Sequence, residues 1–246
     1  MQKKIAVIND LSGYGRCSLT VAIPVLSAMG HQCCPIPTAI LSNHTEFPVY
    51  FFDDYTEKMT TYTDKWKELG LSFDAIATGF LGSEAQIGIV MEIVQKLKAE
   101  KTFVVVDPVM GDHGHAYETY TPEMCEQMKE LVCMADVVLP NVTECCILTD
   151  TPYREENWTR KELLNMAMML RLMGAKSVVI TGVREGSCYT NVVLEQGQYD
   201  AKFIRTRSSG GERPGTGDVF SSVVAGALLN GKSLPEAVSQ AAGFVK

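Results

Sequence analysis

Short β-branched runs alternate with segments of helical period along the chain, and this alternation limits the possible folds more than any other feature. Lys4–Ile8, Cys33–Ala39, Ala75–Thr78, Phe103–Val106, Val137–Leu139 and Ser177–Ile180 read as strands. Between them, Ile87, Val90, Met91, Val94 and Leu97 form one helix face, opened by Ser83 with Gln86 as a capping box. Leu163, Met166, Ala167 and Leu170 form a second, opened by Thr159 and Glu162 and closed near Gly174. Thr121-Pro122 starts a third, with proline at the first helical position. Strand and helix in this order predict an α/β fold of three layers, α/β/α, with a mostly parallel central sheet flanked by helices. Near Gly186–Arg205 two adjacent strand-like runs around Gly197 predict a hairpin at the sheet edge. Pro24 interrupts the helical pattern Leu19, Ala22, Ile23, Leu26, so it must kink that helix or shift its start.

With 246 residues, 46% of them hydrophobic, the chain has apolar material for a large core. No linker or repeat divides it, so one domain over residues 1–246 is expected. The helical pattern Ala237, Val238, Ala241, Ala242, Val245 meets no terminator before Lys246, which implies a helix continuing past a truncated C-terminus. The net charge of −7, with no basic cluster, argues against nucleic acid as a partner. No apolar stretch approaches the ~18 residues of a membrane span, and no signal segment is evident. The eight cysteines contain no CxxC pair and read as reduced thiols, mostly small core residues, of a cytoplasmic protein.

The chemistry concentrates in three places. Gly215-Thr216-Gly217-Asp218 leads into the helical pattern Val219, Phe220, Val223, Val224, Ala227. A glycine-rich turn entering a helix leaves its first N–H groups free for an anion, and Asp218 stands beside them. A carboxylate there can take a proton from an attacking hydroxyl while the N–H groups steady a transferring phosphoryl group. Alone, the same four residues more often form a loop whose aspartate only complements the helix dipole. Two strand ends supply context: Asp107-Pro108-Val109-Met110-Gly111-Asp112 and Pro140-Asn141-Val142-Thr143-Glu144. Both place oxygen-bearing side chains beyond the carboxyl end of a buried strand, where open α/β sheets bind ligands. They suit a hydrated Mg²⁺, and Asn141 or Thr143 equally suits a helix cap.

Other features carry less. Gly226 to Ser233 matches the Walker A letters but continues the helix begun at Val219, with Ser233 and Glu236 reading as the next capping box. Gly13-Tyr14-Gly15 lacks the third glycine of a dinucleotide turn. His113 and His115 read as exposed loop histidines, and Phe51–Phe52 and Met166–Met169 as packing.

Taken together, Ser12-Gly13-Tyr14-Gly15, Leu41-Ser42-Asn43-His44-Thr45, DPVMGD at Asp107–Asp112, PNVTE at Pro140–Glu144, VITG at Val179–Gly182 and GTGD at Gly215–Asp218 resemble the ribokinase-like superfamily. Within it, SNHT and DPVMGD resemble the pyridoxal kinases. The resemblance implies ATP-dependent phosphorylation of the 5′-hydroxyl of pyridoxal, pyridoxine or pyridoxamine, with Asp218 as base and Gly215, Thr216 and Gly217 as the anion hole. It implies that Asp107, Asp112, Asn141 and Glu144 organise Mg²⁺ and phosphate, with Asp107, Asp112 and Glu144 nearest the metal. Thr181 and Gly217 would touch ATP, Ser12 and Thr45 the pyridine ring. A monovalent cation such as K⁺ and a homodimer are further expectations of the family. The competing readings are a hydroxymethylpyrimidine kinase, whose family reads GTGC where this chain has GTGD, and a non-catalytic nucleotide- or vitamer-binding protein, which would lack Asp218 or the glycine turn.

Overall fold

The computed structural model describes residues 2–45, 47–207, 209 and 213–246. In chain order the first half runs β1 (Lys4–Tyr14), α1 (Ser18–Ala28), β2 (Gln32–Asn43), β3 (Phe52–Asp54), α2 (Thr56–Glu68), β4 (Ala75–Thr78), α3 (Glu84–Leu97) and β5 (Phe103–Val106). It continues with β6 (Gly111–Asp112), β7 (His115–Ala116), α4 (Pro122–Cys133), β8 (Val137–Val138), α5 (Val142–Leu148) and α6 (Arg160–Met173). The rest comprises β9 (Ser177–Glu185), β10 (Cys188–Leu194), β11 (Lys202–Arg207), α7 (Thr216–Leu229) and α8 (Leu234–Phe244).

Among the described residues nine strands form one sheet in the order β11-β10-β9-β8-β5-β4-β1-β2-β3. β2, β1, β4, β5, β8 and β9 run parallel, while β3, β10 and β11 join antiparallel. The expected hairpin is β10–β11, and β11 is the sheet edge. Alternate residues of β1 serve opposite faces: Ala6 and Ile8 enter one core, Ile5 and Val7 the other. The first core receives α2 to α6, the second α1, α7 and α8. A parallel sheet covered on both faces needs strands apolar on both sides, which Ile5–Ile8 and Phe103–Val106 supply. On α3, Ile87, Val90, Ile93, Val94 and Leu97 are buried, and each such burial contributes roughly 1.5–3 kcal/mol.

Helix starts follow the sequence signals. Thr159–Glu162 and Ser233–Glu236 form complete capping boxes, and Thr121 caps the helix that Pro122 begins. The Walker-like letters lie on the end of α7, the Asn230-Gly231 turn and the α8 cap. Ser83 caps α3, but Gln86 does not return the bond: its Oε1 accepts from Gly82 N–H and its Nε2 donates to Thr38 O, each at 2.8 Å. Pro24 stays inside α1, whose first residue, Ser18, has a positive φ of 53°.

Several segments extend beyond the expected boundaries. β1 continues from Ile8 to Tyr14 and β2 from Ala39 to Asn43, pairing throughout with a register shift between Asn9 and Leu11. Phe51 and Phe52, expected as packing, are exposed, because Phe52 begins edge strand β3 and Phe51 precedes it. Met166 is buried as expected, but Met169 is exposed. Of the cysteines only Cys17, Cys145 and Cys146 are buried, and Cys133 is exposed. Among the described residues no helix is long and apolar enough to cross a membrane.

Candidate active site

β1 and β4 are neighbours, but the chain leaves β1 toward β2 and leaves β4 toward β5 on the opposite side. This reversal opens a crevice at the carboxyl ends of the two strands. Asn9, the residue of β1 just past its last pairing with β4, ties the crevice together. Its Oδ1 accepts from Asp10 N–H at 3.0 Å and from Phe80 N–H, just beyond β4, at 2.9 Å. Its Nδ2 donates to Asp218 Oδ1 at 2.9 Å. Gly79 must lack a side chain here, since a Cβ would lie 2.4 Å from the Asn9 amide nitrogen.

Asp218 sits in the first turn of α7. Its second oxygen accepts from Ser18 N–H at 2.8 Å, so its two oxygens are oriented by Asn9 on β1 and by α1. The first intrahelical bond of α7 runs from Val219 N–H to Gly215 O at 3.0 Å, leaving the N–H groups of Thr216, Gly217 and Asp218 outside the helical ladder. Thr216 and Gly217 are exposed. Gly215 caps the helix at φ 77°, and a Cβ on it would lie 1.8 Å from Arg16 O. Only glycine permits that approach.

Asp10 is buried at the β1–β2 register shift, accepting hydroxyl bonds from Ser12, at 2.9 Å, and from Ser18. Ser12, expected at a pyridine ring, is only 1% exposed, and its hydroxyl proton is committed to Asp10. Thr45, its expected companion, is exposed beyond the end of β2.

The other two motifs come to the same end of the sheet. Asn141 caps α5: its Oδ1 accepts from Glu144 N–H at 2.8 Å and Asn141 N–H donates to Glu144 Oε2 at 2.7 Å. Asn141 Nδ2 donates to Gly111 O at 2.8 Å, joining PNVTE to DPVMGD. Met110 N–H donates to the remaining Glu144 oxygen at 3.1 Å. Thr181 forms a parallel bridge with Asn141 and donates its N–H to Pro140 O at 2.8 Å. Asp107 is buried at the end of β5.

The electrostatics are those of a concentrated negative charge. Burial pushes Asp107 up to about 7, with the charge of Asp218 adding and a Ser221 hydroxyl opposing. Burial also raises Glu144, Asp218 and Asp10, in each case as the largest cause. Burial raises the Tyr117 phenol, and the charges of Glu144, Asp112, Asp107 and Asp218 raise it further, so all four carboxylates act on it. Among the described residues no lysine or arginine appears among the influences on Asp10, Asp107, Glu144 or Asp218.

Asp107, Asp112 and Glu144, the residues expected nearest the metal, sit in three different environments. Among the described residues no three histidine, cysteine, aspartate or glutamate side chains gather as ligands. Glu144 spends both oxygens on backbone N–H groups, while Asp112 is exposed and accepts from its neighbour His113 N–H at 2.8 Å. A buried acidic group without a cation still fits Mg²⁺ held through water and phosphate, the ion's usual manner of binding. His113 and His115 are exposed, as expected.

Asn9, Asp10, Ser18 and Tyr117 were missed. Polar residues just past an apolar strand mark Asn9 and Asp10 after Ile8 as they mark Asp107 after Val106, whereas nothing in the sequence marks Ser18 or Tyr117.

Known proteins of the same shape complete the description. A family model described as phosphomethylpyrimidine kinase matches residues 22–246. The structure of a Bacteroides thetaiotaomicron protein named for that kinase, in an orthorhombic form with pyridoxal, is 42% identical with a TM-score of 0.94, covering 99% of this chain and 86% of its own. Pyridoxal kinase from Lactobacillus plantarum is 29% identical with a TM-score of 0.91, covering 100% and 87% of the two chains. Pyridoxine kinase from Bacillus subtilis is 27% identical over 262 residues, 100% of this chain and 83% of the relative.

Proposed function

The chain belongs to the phosphomethylpyrimidine kinase family, and from that premise we propose that it transfers the γ-phosphoryl group of ATP to the 5′-hydroxyl of pyridoxal, pyridoxine or pyridoxamine. The observation that carries this reading is the Asp218 carboxylate, aimed by Asn9 and Ser18 N–H beside the free N–H groups of the α7 turn. Asp218 takes the proton as the O–H bond breaks, the oxygen bonds to the γ-phosphorus, and the bond to ADP breaks on the opposite side. Burial raises Asp218 toward working pH, which makes it a better proton acceptor than an exposed carboxylate. The N–H groups of Thr216 and Gly217 steady charge on the transferring group. We assign Asn141, Thr181 and Gly217 to ATP and Thr45 to the vitamer, with Ser12 acting through the Asp10 carboxylate to which its hydroxyl donates. Asp107 and Glu144 would hold a hydrated Mg²⁺, which when bound neutralises charge on the phosphate oxygens.

Asp218→Asn keeps the shape of the side chain but cannot accept the proton. Single-turnover phosphorylation should fall by ~10²–10⁴ while ATP binding persists. Near-normal turnover would remove Asp218 from the mechanism.

A second reading, phosphorylation of hydroxymethylpyrimidine, is favoured by the description of the matching family model. The Asp at 218, where hydroxymethylpyrimidine kinases typically carry Cys, favours the vitamer. Coupled ADP release with pyridoxal, pyridoxamine and hydroxymethylpyrimidine separates the two by their relative kcat/KM.

A further inference from the structure

Asp10 is a buried carboxylate at the β1–β2 register shift, and among the described residues no lysine or arginine acts on it. Burying a carboxylate without a counter-ion is costly, and hydroxyl donors offset only part of that cost. Ser18 carries a second costly feature. Its φ of 53° puts a residue with a Cβ in the left-handed region, which persists only where surrounding contacts hold it. The two features meet in one hydrogen bond: the Ser18 hydroxyl donates to Asp10 Oδ1, while the Ser12 hydroxyl holds Oδ2 at 2.9 Å. In that conformation Ser18 N–H reaches Asp218 Oδ2 at 2.8 Å. The other donor to Asp218 is fastened to the same residue. Asp10 N–H donates to Asn9 Oδ1 at 3.0 Å, and Asn9 Nδ2 donates to Asp218 Oδ1 at 2.9 Å. Asp10, Asn9, Asp218 and Ser18 close a ring of hydrogen bonds.

We propose that Asp10 is a positioning residue for the base: its carboxylate holds Ser18 in the left-handed conformation that aims Ser18 N–H at Asp218, and its own N–H fixes the Asn9 amide. The inference rests on the reading of Asp218 as general base. The two donors, one on each oxygen, set the plane of the Asp218 carboxylate and leave lone pairs for the substrate hydroxyl. Releasing Ser18 frees one oxygen, and the base loses the orientation that proton transfer needs. The charge of Asp10 works in the same direction. After burial, it raises Asp218 further, against the bonds from Ser18 and Asn9.

The test uses the full chain. Asp10→Ala removes the acceptor for Ser18 and should lower kcat about tenfold, the worth of one hydrogen bond realised in the transition state, with KM for both substrates unchanged. Asp10→Asn keeps an oxygen for the Ser18 hydroxyl and should hold kcat within about threefold of the parent. Ser18→Ala should lose as much as Asp10→Ala, and the double variant no more than either, because all three break one link. In crystal structures of the parent and Asp10→Ala, Ser18 N–H should face Asp218 only in the parent. A carboxylate that serves stability alone predicts a shifted melting temperature with parental kcat. That result, a change confined to KM for the vitamer, equal losses in the Ala and Asn variants, additive losses in the double variant, or an unmoved Ser18 would overturn the proposal. Where Asp10→Ala fails to fold, parental kcat in Ser18→Ala overturns it equally. If Asp218→Asn collapses turnover while Asp10→Ala keeps parental kcat, only the role of Asp10 fails. If Asp218→Asn turns over normally, the base assignment fails and the inference falls with it.

Discussion

Asn9→Asp changes one atom at the most sensitive contact of the site. The Oδ1 acceptor survives, so the bonds from Asp10 N–H and Phe80 N–H at 3.0 and 2.9 Å are retained and the strand ends stay joined. The Nδ2 donor becomes an oxygen facing Asp218 Oδ1 across 2.9 Å. Two carboxylate charges about 4 Å apart repel by about 4 kcal/mol at an effective dielectric of 20. That energy corresponds to about three pH units, an upper bound because solvent reaches one side of Asp218. The pair should therefore keep one proton to a higher pH than Asp218 does alone. While that proton stays, the base is blocked. The acid limb of kcat/KM for the vitamer should move up by about one to three pH units, with rate lost at neutrality and regained as pH rises. Asn9→Ala removes the donor without adding charge and should show no alkaline recovery. Superimposable pH profiles for the parent and Asn9→Asp would refute the contact as the control of Asp218.

Gly215→Ala must move the α7 turn away from Arg16, because its Cβ would meet that carbonyl oxygen at 1.8 Å and its φ of 77° strains any side chain. Turnover should fall at least ~10²-fold, the scale of a lost oxyanion donor, and circular dichroism should show retained helix; an active Gly215→Ala protein would reject the turn as the anion site. Asp107 is raised from 3.8 to about 7, so the folded state holds its proton more tightly than the unfolded chain across that window. Stability is therefore lost as pH rises from about 4 to 7, and Asp107→Asn should melt progressively higher than the parent over that range, by on the order of 2–4 kcal/mol at the plateau; a pH-independent difference would contradict the burial.

The alternation of strands and helices was legible because each buried strand of the centre, such as Phe103–Val106, is a continuous apolar run ending in Asp107. Helix starts were legible for a local reason: a cap such as Thr159 and its partner Glu162 lie three residues apart. The extension of β1 through Asn9-Asp10-Leu11-Ser12-Gly13-Tyr14 was not legible. Polar residues and glycine read as loop, and only pairing with β2 holds them extended. β3, β6 and β7 are too short to leave a periodic trace, and α2, with Met59 and Thr63 its buried residues, is too polar to advertise a face. At the site, GTGD, DPVMGD and PNVTE were legible as motifs, and the fold brings them to one end of the sheet. The partners of Asp218 stayed hidden because they are made by tertiary contact between distant segments.

The bond from Asn9 to Asp218 spans 209 positions of the chain. A ribosome adding 5–20 residues per second needs about 10–40 s to cover that interval. Throughout it, the face of the sheet that bears Ile5 and Val7 waits for α7 and α8, which complete its core. The helices of the opposite core are made earlier and can settle as they emerge. A nascent chain grown past α6 thus carries one covered face and one covered only by α1, whose apolar surface favours self-association until α7 and α8 dock. With Asp218 as the proposed base, phosphoryl transfer waits for α7 to dock, so any activity reports chains that have already passed this hazard.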